Sequence, residues 1–300
     1  MATTNHKPGV FGLLKRSGRD FLDDDCMTRA AALSYYTVFS LPPLLILILL
    51  LASTLLDPND VRGGLESQIE ALMGPAGGEQ VRTMLTHAER PGGGSLPTLM
   101  GILALLFGAT GAFTQLQSAL NRLWEMELDP HQGGLKNFFL KRLLSFGMIL
   151  TIAFLLLVSL AVSAALTAFG GALESFLPEG LSAQLVQVLN LALSLAVITA
   201  LFAAIFKVLP DATVAWRDVW VGAAVTAALF TVGKFLIGLY LGKSNPGEAY
   251  GAAGSLALLL LWIYYSSIIL LFGAEFTQTW AETRGRGITP EHGARLLAEA

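Results

Sequence analysis

The stretch AAALSYYTVFSLPPLLILILLLASTLL occupies residues 30–56 and contains no charged side chain. A bilayer core about 30 Å thick is crossed by roughly 20 apolar residues of helix, so this stretch is long enough to span one. Backbone groups in hydrocarbon must hydrogen-bond within their own segment, which makes a helix the expected structure. Five further stretches of similar character follow, at 95–121, 143–173, 180–206, 219–233 (continued past Lys234 to 242) and 249–274. The sequence therefore predicts an all-α, polytopic membrane bundle of six transmembrane helices.

Composition supports the membrane class and excludes several others. Hydrophobic residues make up 54% and charged residues 14% of the chain, where a soluble domain carries about 25% charged residues. The net charge of −3 gives no basic surface for nucleic acid. Cys26 is the single cysteine, and the four histidines are scattered without a ligand spacing. We therefore expect no metal site and no cofactor, and we expect membrane lipid as the surrounding partner.

The distribution of Lys and Arg predicts the orientation, because cytoplasmic loops of membrane proteins carry an excess of these residues. With the N-terminus inside, fourteen of the 19 basic residues fall on the cytoplasmic side and five on the external side. Both termini are therefore predicted to be cytoplasmic. The predicted organisation is an N-terminal segment 1–29, a six-helix domain 30–280 and a cytoplasmic tail 281–300.

Two connecting segments show helical patterns outside the predicted spans. Residues 8–25 place apolar side chains on one face and basic ones elsewhere, which is typical of a helix on the cytoplasmic leaflet. A solvated helix packed on the bundle explains the same pattern. The connection 57–94 is the longest external one and is predicted to form one or two short amphipathic helices. Asp23, Asp24 and Asp25 are interpreted as a charged segment before the first span rather than a metal site.

The first span carries polar side chains directly before two prolines. Tyr35 and Tyr36 precede Pro42 and Pro43 by less than two helical turns. A proline inside a helix removes a backbone hydrogen bond, which neighbouring groups or water then have to replace. The pattern favours a helix broken against protein or a cavity, with a packing kink as the alternative, and makes these four residues candidate binding residues.

Three further places carry polar or ionisable groups within or beside predicted spans. Asn121 and Arg122 end the second span in a polar cluster, which indicates either adhesion between helices or a binding surface. Lys234 lies inside the fifth span and is a functional candidate, or else its side chain reaches the membrane surface. The sixth span carries Tyr264 and is predicted to end at 273–275. Its Glu275 is then a candidate at the cytoplasmic boundary.

The chain resembles the YihY/BrkB family of bacterial inner-membrane proteins, once labelled ribonuclease BN, over about residues 10–285. The motifs that carry the resemblance are AAALSYY at 30–36, FSLPP at 39–43, LNRLW at 120–124, WRD at 216–218, LWIY at 261–264 and GAE at 273–275. The resemblance implies a helical protein of the bacterial cytoplasmic membrane, whose relatives are linked to virulence or serum resistance. It implies no catalytic residues, since the family has no settled biochemical activity.

Three functions are compatible with these residues. A transporter, permease or lipid-handling protein would draw on the polar residues Tyr35, Tyr36, Asn121, Lys234 and Glu275. Lys234 would hold an anionic head group or solute, or a Lys234–Glu275 pair would move protons or cations. An envelope scaffold, including one that acts as a homo-oligomer, would need only the small-residue faces that allow helices to touch. An enzyme is not predicted, and ribonuclease activity least of all, because hydrolysis of RNA needs metal-binding acids or a positioned base on a wet surface.

Overall fold

The computed structural model describes residues 9–52, 57–73, 82–83, 108, 110–128, 147, 181–244, 254–284, 287–291 and 294–297. Apart from residue 147, the predicted third span lies outside the described residues, as do about half of the second span and half of the connection 57–94. The helices are α1 (Val10–Asp23), α2 (Cys26–Ala52), α3 (Pro58–Met73), α4 (Gly111–Leu123), α5 (Leu181–Val208), α6 (Trp216–Ser244) and α7 (Gly254–Thr283). The strands are β1 (Met126–Leu128), β2 (Ala212–Thr213), β3 (Thr289–Pro290) and β4 (Ala294–Leu296).

Three helices in the described part are long and apolar enough to cross a membrane. Their apolar portions are Gln187–Val208, Trp216–Tyr240 and Leu256–Thr283, with 22, 25 and 28 residues. At about 1.5 Å of rise per residue, each exceeds the thickness of a hydrocarbon core of about 30 Å. These helices correspond to the fourth, fifth and sixth predicted spans.

Helix α2 continues through Pro42 and Pro43, so the predicted break is wrong. The start of α4 and the residues just before it pack closely against the proline turn instead. A Cβ on Gly108 would lie 2.8 Å from Pro43 Cγ, and one on Gly111 would lie 2.9 Å from Ser40 Oγ. The Ala112 N–H also donates to Ser40 Oγ, at 3.1 Å. A helix can keep its course past proline where neighbours satisfy and fill the turn, which makes this a packing feature.

Helix α7 continues well past its predicted end at 273–275. Threonines follow Glu275 at 277, 279 and 283, and the hydroxyls of Thr277 and Thr283 hydrogen-bond to the helix backbone. Thr277 Oγ1 donates to the Gly273 carbonyl and Thr283 Oγ1 to the Thr279 carbonyl, each at 2.7 Å. Such bonds let polar residues continue a helix without leaving side-chain hydroxyls unsatisfied. Glu275 therefore lies inside α7 and not at its end.

Helices α6 and α7 meet through two reciprocal glycine–threonine contacts. The site of a Cβ on Gly222 is occupied by Thr277, and the site of a Cβ on Gly273 is occupied by Thr226. Each threonine hydroxyl donates to the carbonyl of the glycine one turn earlier in its own helix, as Thr226 does to Gly222 at 2.7 Å. The two G-x-x-x-T segments thus allow close backbone approach, as small residues do between membrane helices.

The described part is mostly helical, as predicted, and it also contains four short strands of two or three residues. The segment after α7 folds back and pairs with two other parts of the chain. Strand β3 is antiparallel to β2, and β4 is antiparallel to β1. Residues 289–290 and 294–296 therefore pair with the segments that follow α4 and α5, and part of the predicted tail is structured against the bundle. Short polar strands give little sequence signal beside six long apolar stretches.

Helix α1 packs against the end of α7. Leu13, Ser17 and Phe21 form the buried face of α1, and the ring centroids of Phe21 and Phe272 are 6.1 Å apart. Arg16 forms an ion pair with Glu282 on α7. The alternative of a helix packed on the bundle is thus observed for this face of α1.

Candidate functional site at the buried end of α7

Glu275 is an acidic residue whose side chain is buried inside α7. It is 1% exposed and lies two residues from the Gly273 contact between α6 and α7. The Cys26 thiol, at the start of α2, points at Glu275 Oε1 from 3.6 Å. The carboxyl group of Asp24 hydrogen-bonds to that of Glu275. We call Asp24, Cys26 and Glu275 the buried acid cluster.

A tight turn between α1 and α2 places Asp24 in this cluster. Asp25 adopts a left-handed conformation with φ of 53°, which reverses the chain within two residues. The Arg29 Nε–H donates to the Asp24 carbonyl at 2.9 Å and holds the turn from the α2 side. Asp and Asn side chains tolerate this conformation better than most, which explains an acidic residue at this position.

The environment of Asp24 shifts its acidity. Burial raises the pKa of Asp24 above its ordinary value of 3.8, while Arg29, the hydrogen bond with Glu275 and Arg122 oppose the rise. Burial favours the neutral acid because it removes water from the charged form, and nearby cations favour the carboxylate. The pKa of Asp24 rises overall because the loss of water outweighs the opposing effect of the two arginines.

The contact between Asp24 and Glu275 has a chemical consequence. A carboxylate has no hydrogen to donate, so a hydrogen bond between two carboxyl groups requires a proton on one of them. Two carboxyl groups this close titrate as a pair that shares its protons. The cluster is therefore a candidate site for a proton shared between α7 and the α1–α2 turn.

The end of α4 joins this cluster to the rest of the bundle. Arg122 acts electrostatically on Asp24. The Trp124 indole N–H donates to the Ala274 carbonyl at 3.2 Å, next to Glu275, and the Trp124 ring is fully buried. The end of α4 thus acts electrostatically on the α1–α2 turn through Arg122 and contacts α7 through Trp124.

Asn121, on the same turn of α4, holds the connection between α5 and α6. Its Nδ2 donates to Asp211 Oδ2 at 2.6 Å, and the Asp211 N–H donates to Asn121 Oδ1 at 2.8 Å. Gln117 Nε2 adds a third bond, to Asp211 Oδ1 at 3.3 Å. We call Gln117, Asn121 and Asp211 the amide clamp. Because Asn121 both donates and accepts, a residue of another type cannot replace it with the same geometry.

The C-terminal segment attaches to the same end of the molecule. The Glu291 N–H donates to the Asp211 carbonyl at 3.1 Å, and the Leu297 N–H donates to the Glu125 carbonyl at 2.8 Å. Arg295 and Glu127 form an ion pair across β4 and β1, at 3.3 Å. The buried acid cluster, the amide clamp and the paired strands are therefore one connected polar end of the bundle.

The structure brings only some of the sequence-predicted site residues to this end. Asn121, Arg122 and Glu275 belong to it. Tyr35 and Tyr36 are 57% and 46% exposed, and their rings meet edge to face, at 5.7 Å between ring centroids. Pro42 and Pro43 are half-buried in α2, Tyr264 packs against the core, and Lys234 is exposed on α6.

Sequence reasoning missed three members of the polar end. Asp24 and Asp211 lie in turns, where acidic residues are common and carry no periodic signal. Cys26 is a single apolar-looking residue before the first apolar stretch. The usable signal for Asp211 was its place directly after Pro210, between two predicted spans. Within the described residues, no group of three or more His, Cys, Asp or Glu has an arrangement suited to a metal ion.

Comparison with known proteins identifies the family. Residues 18–296 match the family model described as virulence factor BrkB. A UPF0761 membrane protein of Alteromonas mediterranea is 30% identical over 262 residues, which cover 87% of this chain and 84% of the relative. A UPF0761 membrane protein of Psychrobacter sp. is 27% identical over 286 residues, 94% of this chain and 51% of the relative.

A third relative, from Rhodospirillum centenum, is 28% identical over 283 residues, which are 94% of this chain and 60% of that protein. The chain thus spans about half to four fifths of the length of these relatives. No solved structure matches the chain. Because the family model covers nearly all of the chain, this protein belongs to the BrkB family of membrane proteins.

Proposed function

We propose that this protein is a multi-pass protein of the bacterial cytoplasmic membrane that transports or otherwise handles a lipid or an anionic solute. The observation that carries the proposal is the buried acid cluster, in which Glu275 is 1% exposed inside an apolar helix and hydrogen-bonded to Asp24. Ionisable groups inside membrane helices are costly and usually serve transport or proton relay.

The arginines beside the cluster suggest how a proton and an anion are linked. Arg122 is exposed and Arg29 is half-buried, and both act on Asp24. When the cluster gains a proton, its negative charge falls and its attraction for both guanidinium groups weakens. Arg122 then binds an anionic head group or solute, since guanidinium pairs well with phosphate and carboxylate. When the proton leaves, the acids compete for Arg122 and the anion is released.

Native mass spectrometry of the full-length protein in mild detergent tests this function. We expect the wild type to retain an anionic lipid or small anion, with more retained at acidic than at alkaline pH. In Glu275→Gln retention should no longer depend on pH, and in Arg122→Gln it should fall. Glu282→Gln, which changes a surface carboxylate on the same helix, is the matched control and should resemble the wild type.

A bare protein in all forms and at every pH would contradict the proposal. That result would favour an envelope scaffold, in which the polar end only holds helices together. Gel filtration and a thermal melt of each variant show whether the folded bundle is retained.

A further inference from the structure

Helix α1 has a second apolar face in addition to the one that packs on α7. Phe11, Leu14 and Leu22 are 81%, 38% and 63% exposed. With Gly18 they follow an i, i+3, i+7, i+11 spacing, which places them in one stripe along the helix. We call these four residues the α1 stripe. Leu13, Ser17 and Phe21, on the neighbouring face, are buried.

The charges of α1 are sorted around this stripe. Lys15 and Arg19 are exposed and lie along one edge of the α1 stripe. The acidic residues Asp20 and Asp23 lie on another side of α1, together with Arg16. Arg16 forms ion pairs there with Asp20, at 3.6 Å, and with Glu282 of α7. An apolar stripe with a basic flank fits a membrane surface, where acyl chains lie beneath anionic head groups.

We propose that the α1 stripe docks on the anionic surface of the membrane leaflet next to the polar end. Apolar side chains of an interfacial helix enter the boundary between head groups and acyl chains, while Lys and Arg meet anionic lipids. Attachment of other faces of α1 to α7, through Phe21–Phe272 and Arg16–Glu282, leaves the stripe exposed. The inference is independent of the proposed function, because it concerns lipid at the surface of α1 and not a ligand of the buried acid cluster.

Spin labels at exposed positions of the full-length protein test this docking. Phe11→Cys and Leu22→Cys carry the label in the stripe, and Asp23→Cys carries it at an exposed position outside the stripe. Wild type treated in the same way measures background labelling, which should be low because its Cys26 is fully buried. Accessibility to oxygen and to a water-soluble nickel chelate is compared in phosphatidylcholine vesicles with and without phosphatidylglycerol.

We expect the labels at 11 and 22 to favour oxygen, and more strongly when phosphatidylglycerol is present, while the label at 23 favours nickel. Adding Lys15→Gln and Arg19→Gln should weaken the docked state by about five-fold for each cation removed. Stripe labels as open to nickel as the label at 23, or unaffected by anionic lipid, would overturn the proposal. Spectral broadening that disappears on dilution with unlabelled protein would also overturn it, because a second copy would then cover the stripe.

Discussion

Glu275 in α7 and Lys234 in α6 are both ionisable residues of apolar helices, yet their environments in the fold are opposite. Glu275 is buried, carries a carboxyl and a thiol partner and lies beside the closest contact of the two helices. Lys234 is exposed on α6. A charged residue in an apolar stretch is therefore only a candidate, and its burial distinguishes a proposed proton site from a side chain directed to the surface.

The contact between α6 and α7 also differs along its length. At the polar end, Gly222 and Gly273 face threonines whose Cβ atoms lie 2.8 Å from the site of an added Cβ. Beside Lys234, Gly233 faces the ends of longer side chains, with Ile269 Cδ1 at 2.6 Å and Tyr265 Oη at 2.9 Å. Threonine branches next to the backbone and cannot move aside, whereas the tips of Ile269 and Tyr265 can. The polar end is the rigid part of this helix pair.

The largest expected effect comes from filling that rigid contact. Gly222→Val should lower the free energy of unfolding by about 3 kcal/mol or more, because overpacking forces backbone and side chains apart. Thermal melts in detergent measure the loss. Gly238→Ala on the same helix has no atom near its added Cβ and should be neutral or stabilising by up to about 1 kcal/mol. Equal losses in both variants would show that the contact is not tight.

Removing the amide clamp should have the next largest effect. Asn121→Leu removes one hydrogen bond from the Asp211 carboxylate and one from the Asp211 backbone N–H. We expect this loss to lower the free energy of unfolding by about 2 kcal/mol. The melting temperature and protease sensitivity of the 209–215 connection measure the change. Ser118→Ala, at an exposed position one turn earlier on α4, is the control. A melt identical to the wild type would mean that the clamp does not hold this connection.

The acidity of Asp24 predicts a smaller, pH-dependent effect. Because burial raises the pKa of Asp24 in the folded protein, the native state binds more protons than the unfolded chain from pH 3.8 up to the raised value. Stability from this group is therefore present at low pH and falls as pH rises through that window. Asp24→Asn should remove this part of the pH dependence, and Asp23→Asn, at the exposed neighbour, should keep it. Parallel pH profiles for wild type and Asp24→Asn would contradict the assigned environment.

The smallest effect is expected at Lys234. Lys234→Leu should change the free energy of unfolding by no more than about 0.5 kcal/mol, as surface substitutions generally do. It should also leave ligand retention in native mass spectrometry unchanged. A loss of the retained ligand in this variant, at an unchanged melting temperature, would return Lys234 to the site and reverse the comparison with Glu275.

The sequence predicts the long helices because a charge-free stretch in lipid has only one way to satisfy its backbone. The starts of α5 and α6 accordingly lie within a few residues of the predicted spans. The sequence predicts the ends of the helices less well. Helix α7 continues past its apolar stretch because threonines there hydrogen-bond to the backbone of their own helix. The proline break failed for a related reason, since tertiary packing by Gly108 and Gly111 decides whether a proline turn opens.

The polar end was predictable only in part. Asn121, Arg122 and Glu275 are conspicuous because they interrupt or border apolar stretches. Their partners Asp24 and Asp211 lie in turns, about 250 and 90 residues away along the chain, where pairing depends on the fold and leaves no periodic trace. The strand pairs escaped prediction for the same reason, because two- and three-residue strands form only once the helix ends have been brought together.

The central claim is that a proton is held between Asp24 and Glu275, and infrared spectroscopy measures it most directly. Spectra of the full-length protein in proteoliposomes near neutral pH are recorded for wild type, Glu275→Gln and the surface control Glu282→Gln. The account predicts a carbonyl band of a protonated carboxyl group that shifts in heavy water, disappears in Glu275→Gln and persists in Glu282→Gln. A wild-type spectrum that loses only carboxylate bands on Glu275→Gln substitution would show that both acids are ionised, and would contradict the account.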